Sequence, residues 1–189
     1  DDFRFGVKRQ GNFALLQQAG EKFGFTVEAS RSFCLDELRI SSTAIREALA
    51  NDDLTLAEKL LGRPYHILGR VIHGNELGRT IGFPTANIRL HRQVNPVKGV
   101  YAVKVRLKSG AFFNGVANIG TRPTINGVNQ LLEAHLFDFQ GDLYGQWLDV
   151  ELCHKIRNEM KFPSFDDLKA QIAKDVETAK NVFKTDRTL

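Results

Sequence analysis

The sequence predicts a mainly β protein: a six-stranded antiparallel closed barrel with a C-terminal α-helix, preceded by a mostly helical segment. Three observations carry that expectation. The apolar period changes from about 3.6 to 2 after Pro64. Six short alternating segments then follow with no helical pattern between them, separated by Gly-, Asn- and Pro-bearing turns. A single apolar stripe at helical spacing closes the chain. With 189 residues, 42% hydrophobic and 25% charged, the chain can bury a real core, and a disordered or fibrous protein is excluded.

The elements are expected in this order. Strands lie near Asp2 to Phe5 and Thr26 to Ala29, and Phe13 to Phe23 has the spacing of an amphipathic helix. Ser42 can cap a helix through Ala50 whose Ile45, Ala48 and Leu49 share a face. Thr55-Leu56-Ala57-Glu58 reads as a capping box opening a short helix, which Gly62 can close in the left-handed conformation and Pro64 prevents from continuing. The six strands are expected at Ile67 to Ile72, Thr85 to Leu90, Val100 to Lys108, Ala111 to Asn118, Leu132 to Phe139 and Trp147 to Leu152. Ser164, with Asp166 and Asp167 in the first turn, opens the last helix, and Leu168, Ile172, Val176, Ala179 and Phe183 form its stripe.

Charge supports a division at Gly62, because residues 1–62 carry a net −2 and residues 63–189 a net +6. Two domains are expected, 1–62 and 63–189. The only methionine is Met160 and the chain opens on Asp1, which predicts a piece of a longer protein. No apolar run has the length of a membrane span or the flanks of a signal peptide, so the expected location is cytoplasmic and no membrane partner is expected. Cys34 and Cys153 stand far apart and the five histidines do not cluster, so neither a disulfide scaffold nor a zinc site is expected.

Chemistry concentrates between Gly69 and Asn87. Gly69, Gly74, Gly78 and Gly82 are too many glycines for a plain strand. Glycine amides can form an anion-binding nest to which Arg70 and Arg79 add charge, or the segment can be an ordinary hairpin connection. The spacing fits neither of the common nucleotide-binding glycine motifs. Thr85 and Asn87, two apart after Pro84, project to one face of a strand and offer oxygens that suit magnesium beside a phosphate, or are polar strand surface. Alternation puts Glu133 and His135 on one face, where Glu133 could accept a hydroxyl proton or decorate a solvated strand. Arg157 and Glu159, beside Phe162, follow the last expected strand and form either a salt-bridged loop or the border of a planar ligand.

The string Gly69 to Asn87 with its Gly82-Phe83-Pro84-Thr85-Ala86-Asn87 ending, then Gly99-Val100-Tyr101, Asn118-Ile119-Gly120-Thr121-Arg122-Pro123-Thr124, Glu133-Ala134-His135, Gly141-Asp142-Leu143-Tyr144-Gly145 and Ile156 to Phe162, closely resembles the riboflavin kinase module of bacterial bifunctional riboflavin kinase/FMN adenylyltransferases. The resemblance covers essentially all of 63–189. It implies a riboflavin kinase-like barrel that uses ATP to phosphorylate the terminal ribityl hydroxyl of riboflavin, giving FMN. It further implies that Gly69, Gly74, Leu77, Gly78, Arg79, Gly82, Phe83, Pro84, Thr85 and Asn87 hold ATP, that Thr85 and Asn87 bind Mg2+, that Glu133 is the general base, and that Arg157, Glu159 and Phe162 border the flavin. Residues 1–62 resemble the tail of the Rossmann-like adenylyltransferase domain through Asp2-Phe3-Arg4-Phe5-Gly6 and Ile40 to Arg46, a helix start suited to phosphate. The His-x-Gly-His nucleotide motif is absent, so FMN adenylylation is not expected of these residues although the parent protein is expected to carry it.

Composition also permits a basic barrel that stacks single-stranded nucleic acid on aromatic rings. The phenylalanines, however, sit mostly in motifs or apolar faces rather than alternating with Lys or Arg, and Thr85, Asn87 and Glu133 have no role in such a module. Small-molecule partners, riboflavin and ATP, are therefore expected, and not nucleic acid.

Overall fold

The computed structural model describes residues 3–29, 32–74, 82–90, 95–124 and 127–185. They form two compact units, 1–40 and 41–189, taken separately below.

In the first unit, β1 (Arg4–Phe5) pairs antiparallel with β2 (Gly11–Asn12), and the Asn12 side chain caps α1 (Phe13–Phe23) by accepting from the Leu15 N–H at 2.9 Å. The expected strand at Thr26 to Ala29 does not form. Instead β3 (Cys34–Leu35) and β4 (Leu38–Arg39) make a two-residue ladder. Thr26-Val27 is too short an apolar alternation to hold a strand without a partner.

The second unit opens with α2 (Ser42–Ala50) and α3 (Leu54–Leu61). Both caps fall one or two residues before the expected ones. Ser41 Oγ accepts from Ala44 N–H at 3.1 Å, and Asp53 Oδ1 accepts from Leu56 N–H at 2.9 Å. Each polar side chain reaches the third residue onward, so Ser42 and Thr55 are inside their helices. Gly62 ends α3 with φ of 69°.

The six strands β5 (His66–Ile72), β6 (Ala86–Leu90), β7 (Gly99–Leu107), β8 (Phe112–Thr124), β9 (Gly127–Leu136) and β10 (Trp147–Arg157) close into an antiparallel barrel in the order β10-β5-β6-β9-β8-β7. Alternation sets which residues point inward. Ile88, Leu132 and Ile119 are cross-strand partners and are all buried, as are Val103, Val105, Leu148 and Val150. One row combines Ala86, Ala134 and Ala117 with Tyr101, so three small side chains leave room for one large ring inside the barrel.

Three strands outrun their expected limits, the first being β8, which runs on past Asn118 to Thr124. β10 continues past Leu152 to Arg157 by way of register shifts after Leu152 and Lys155, and β9 begins at Gly127 and ends at Leu136. Arg157 is therefore the last residue of a strand rather than part of the loop after it. Helix α4 (Phe165–Thr185) lies on the outer surface, where Ala179 and Phe183 pack with Val100, Ala102, Val116 and Phe137. Ala48, Leu49 and Ala57 of α2 and α3 join the barrel's own core, which is why the compact unit begins at Ser41 and not after Gly62. Among the described residues no helix is long and apolar enough to cross a membrane.

Candidate functional site

The site is built on the rung that joins Asn87 of β6, Glu133 of β9 and Asn118 of β8, and continues through Val100 of β7 to Arg157 of β10. Cross-strand partners share a face, and the neighbouring rung of Ile88, Leu132 and Ile119 is the barrel interior, so these five residues face outward. Two cavities flank the rung. One, of about 380 Å³, is lined by Thr85, Asn87, Phe139 and the turn Gly141 to Tyr144. The other, of about 390 Å³, lies between the barrel's outer face and the start of α4, and is lined by Phe83, Glu133, Arg157, Glu159, Phe162 and Ile172 among others. Thr85 lines both.

Asn87 is only 5% exposed, and its Oδ1 has no hydrogen-bond partner among the described residues. Its Nδ2 donates a long 3.3 Å bond to the Thr85 carbonyl, and the residue lines the cavity together with Thr85. A buried acceptor without a partner is costly unless a ligand completes it. An amide oxygen beside a hydroxyl is a hard, neutral donor pair, which suits Mg2+ when phosphate oxygens supply the charge and further ligands.

The aromatic cavity is organised by ionic contacts. Arg157 meets Asp175 of α4 through two guanidinium nitrogens, with Nε to Oδ1 at 2.9 Å and Nη2 to Oδ2 at 2.7 Å, and its Nη1 donates to the Asn158 carbonyl. Gln171 Nε2 adds a third donor to Asp175 at 2.9 Å. Asp175 is 3% exposed, so this carboxylate is buried and fully used. The Arg157 guanidinium carbon sits 5.7 Å from the Phe162 ring centroid. Glu159 lies directly over Gly120, where any Cβ would collide with its carboxylate.

The expected nucleotide residues divide. Phe83 lines the aromatic cavity and Pro84 lines the other, alongside Thr85 and Asn87. Gly82 adopts φ of 84° just before them. Gly69 lines neither cavity: it is opposite Leu148 in mid-strand, and a Cβ there would strike the Ile88 side chain, so its glycine serves barrel packing. Gly74 lies against the Asn87 carboxamide so closely that a Cβ there would displace it. Leu77, Gly78 and Arg79 lie outside the described residues.

Sequence reasoning passed over Asn118 and Asp175 as site residues. Asn118 had a signal, because it opens the Asn118-Ile119-Gly120 string, but its register with Glu133 appears only once the strands pair. The turn at Gly141 to Gly145 is likewise placed by the fold, held where Asp142 Oδ1 accepts from Tyr144 N–H at 2.8 Å and Tyr144 stacks on His73 with centroids 3.9 Å apart.

Comparison with known proteins finds relatives along nearly the whole chain. The family described as riboflavin kinase matches residues 61–183, and that described as FAD synthetase matches residues 1–44. A bifunctional riboflavin kinase/FMN adenylyltransferase of Haemophilus influenzae is 78% identical over 185 residues, covering 98% of this chain and 60% of that protein. The protein of the same description in Escherichia coli is 60% identical, covering 97% of this chain and 58% of the relative. The chain thus spans about three fifths of the length of these curated relatives. A crystal structure described as a macrolide-efflux protein from Streptococcus pneumoniae superposes with a TM-score of 0.73 at 35% identity, covering 95% of this chain and 58% of the other.

Proposed function

Because the chain belongs to the riboflavin kinase family, we propose that residues 63–189 transfer the γ-phosphate of ATP to the terminal ribityl hydroxyl of riboflavin, giving FMN and ADP. The observation that carries this reading is the rung Asn87-Glu133, with Thr85 beside it lining both cavities. It sets phosphate- and metal-type oxygens next to a carboxylate in an aromatic-lined pocket, which is the juxtaposition that phosphoryl transfer to a flavin alcohol needs.

The cavity at Thr85, Asn87 and the Gly141–Tyr144 turn takes the nucleotide. The cavity under α4 takes the flavin, with Phe162 and Arg157 against its ring system and Glu159 at its border. Thr85 Oγ1 and the orphan Oδ1 of Asn87 would hold Mg2+, which supplies charge neutralisation on the transferring phosphate. Glu133 accepts the proton as the ribityl oxygen bonds to the γ-phosphorus and the bridging bond to ADP breaks. Half-burial on a rigid strand fixes the carboxylate's direction, while α4 shields the attacking hydroxyl from bulk water.

We assign residues 1–62 to the end of an adenylyltransferase domain whose parent protein also makes FAD, and place the protein in the cytoplasm, where ATP is plentiful. Its partners are small molecules. Incubation of the chain with riboflavin, ATP and Mg2+, followed by chromatography, is expected to yield FMN and no FAD. Absence of FMN would overturn the kinase reading, and steady FAD formation from FMN and ATP would overturn the restriction to it.

A further inference from the structure

His135 stands two residues beyond Glu133 on the same outward face of β9. Its Nδ1 is 2.9 Å from the Pro84 carbonyl oxygen. A carbonyl can only accept, so Nδ1 carries the proton in this contact. The ring is held between two phenylalanines, with Phe83 edge-on at 5.5 Å and 81° and Phe137 at 5.9 Å and 64°.

The position of this bond in the sheet gives it significance. The β6–β9 ladder has Ala86 opposite Ala134 as its last pair at this end. The next rung would place His135 against Thr85, where β6 has not yet begun and Pro84 has no N–H to give. The imidazole of His135 replaces that rung. The Pro84–Thr85 peptide is planar, so fixing its oxygen also fixes the Thr85 nitrogen and narrows the direction in which the Thr85 hydroxyl points. The same strand thus carries the proposed base at Glu133 and orients, through His135, the hydroxyl proposed for metal and phosphate.

We propose that His135 is a positioning residue for phosphoryl transfer, setting Thr85 relative to Glu133 through the Pro84 carbonyl. This rests on the assignment of Thr85 and Glu133 made above. Residues that orient ligand-bearing groups typically contribute about 10- to 100-fold in metal affinity or activity.

The test uses two variants of the full chain. His135→Phe keeps a ring between Phe83 and Phe137 but removes the donor. His135→Asn restores an amide N–H at nearly the same distance from the backbone. Three quantities are measured for each: kcat for FMN formation, equilibrium MgADP affinity by calorimetry, and riboflavin affinity by quenching of flavin fluorescence. His135→Phe is expected to lower both kcat and MgADP affinity by about tenfold or more, while riboflavin affinity stays within about threefold because the phenyl ring keeps the aromatic lining that His135 gives the flavin cavity, and His135→Asn is expected to recover most of the loss. The inference is overturned if His135→Phe leaves kcat and MgADP affinity within about threefold of the parent. It is equally overturned if MgADP and riboflavin affinities fall together, or if a folded His135→Asn recovers nothing, since a purely structural ring would behave so. A parent chain inert toward riboflavin and MgATP removes the kinase reading itself and this inference with it, an outcome distinct from an active parent with indifferent variants.

Discussion

Asn87 shows how function and stability separate at a single side chain. Its buried Oδ1 lacks a partner among the described residues, and its Nδ2 makes one long bond. Replacement by the near-isosteric leucine removes an unsatisfied acceptor and a weak donor together, a change that is often neutral or stabilising. Asn87→Leu is therefore expected to keep or raise the melting temperature while weakening MgADP binding by about tenfold or more and leaving riboflavin affinity nearly unchanged. Calorimetry with each ligand checks it, and parallel loss of both affinities would count against the metal assignment. Glu133 differs, because its assigned work is proton acceptance and not binding. Glu133→Gln preserves shape and one acceptor, so riboflavin affinity should persist while kcat falls by about 10² to 10⁴, a barrier change of roughly 3 to 5 kcal/mol. A loose transition state asks less of its base, so a fall of only about tenfold would mark Glu133 as an orienting group for the hydroxyl. A near-parental kcat in a folded variant would remove it from the reaction.

Helix α4 and strand β10 show what periodicity reveals and what it hides. The stripe of Leu168, Ile172, Val176, Ala179 and Phe183 was legible as one apolar face, but the structure divides its labour. Ala179 and Phe183 pack on the barrel, while Leu168 and Ile172 line the cavity. Asp175 lies on that same face, one position before Val176, and a reading based on apolar spacing assigns a carboxylate to solvent. It is buried because Arg157 arrives from β10, and that arrival depends on register shifts after Leu152 and Lys155 that no local pattern encodes. The six strands, by contrast, were readable because one face of each is buried and a slip of one residue would expose every apolar side chain. Thr85, Asn87 and Glu133 were readable as chemical types at face-sharing positions, and their juxtaposition was not, since it is a product of pairing β6 with β9. The Arg157–Asp175 clamp supports its own prediction. Asp175→Asn leaves the shape but removes the charge that holds the guanidinium, so Arg157 should be freed from its fixed pose and riboflavin affinity should fall by about tenfold or more. MgADP affinity should change little, because the clamp lies in the other cavity. Equal losses for both ligands, with a much lower melting temperature, would show that the clamp serves the fold alone.

At the scale of the whole molecule, family resemblance and compactness divide the chain at different places. The riboflavin kinase match begins at residue 61, whereas the compact unit that contains the barrel begins at Ser41. The physical difference lies in α2 and α3. Leu49 is 2% exposed and Ala57 and Ala48 are buried beside it in the barrel's core cluster. Asp52, in the turn between these helices, accepts the Tyr101 hydroxyl at 2.9 Å and meets Lys155 Nζ at 2.7 Å. Tyr101 is fully buried, and burial together with the Asp52 carboxylate pushes its phenol well above the ordinary range, so the hydroxyl stays protonated and donating. A chain starting at Ser41 keeps all of this, and one starting at Arg63 loses it. Losing the buried Leu49 side chain alone forfeits about 1.5 to 3 kcal/mol of hydrophobic stabilisation. Losing Asp52 also leaves Lys155 without its carboxylate, although the Lys98 carbonyl still accepts from both Lys155 and Tyr101. Against a typical domain stability of about 5 to 15 kcal/mol, such a loss is large. Residues 41–189 are therefore expected to form FMN at close to the parent rate with a cooperative melt near the parent's. Residues 63–189 are expected to melt many degrees lower or to aggregate, although every proposed site residue is retained. Thermal melts followed by circular dichroism, run beside FMN assays on the two truncations, decide between the boundaries. Equal melting temperatures would show that the family boundary is also the folding boundary, and that α2 and α3 merely rest on a barrel that stands without them.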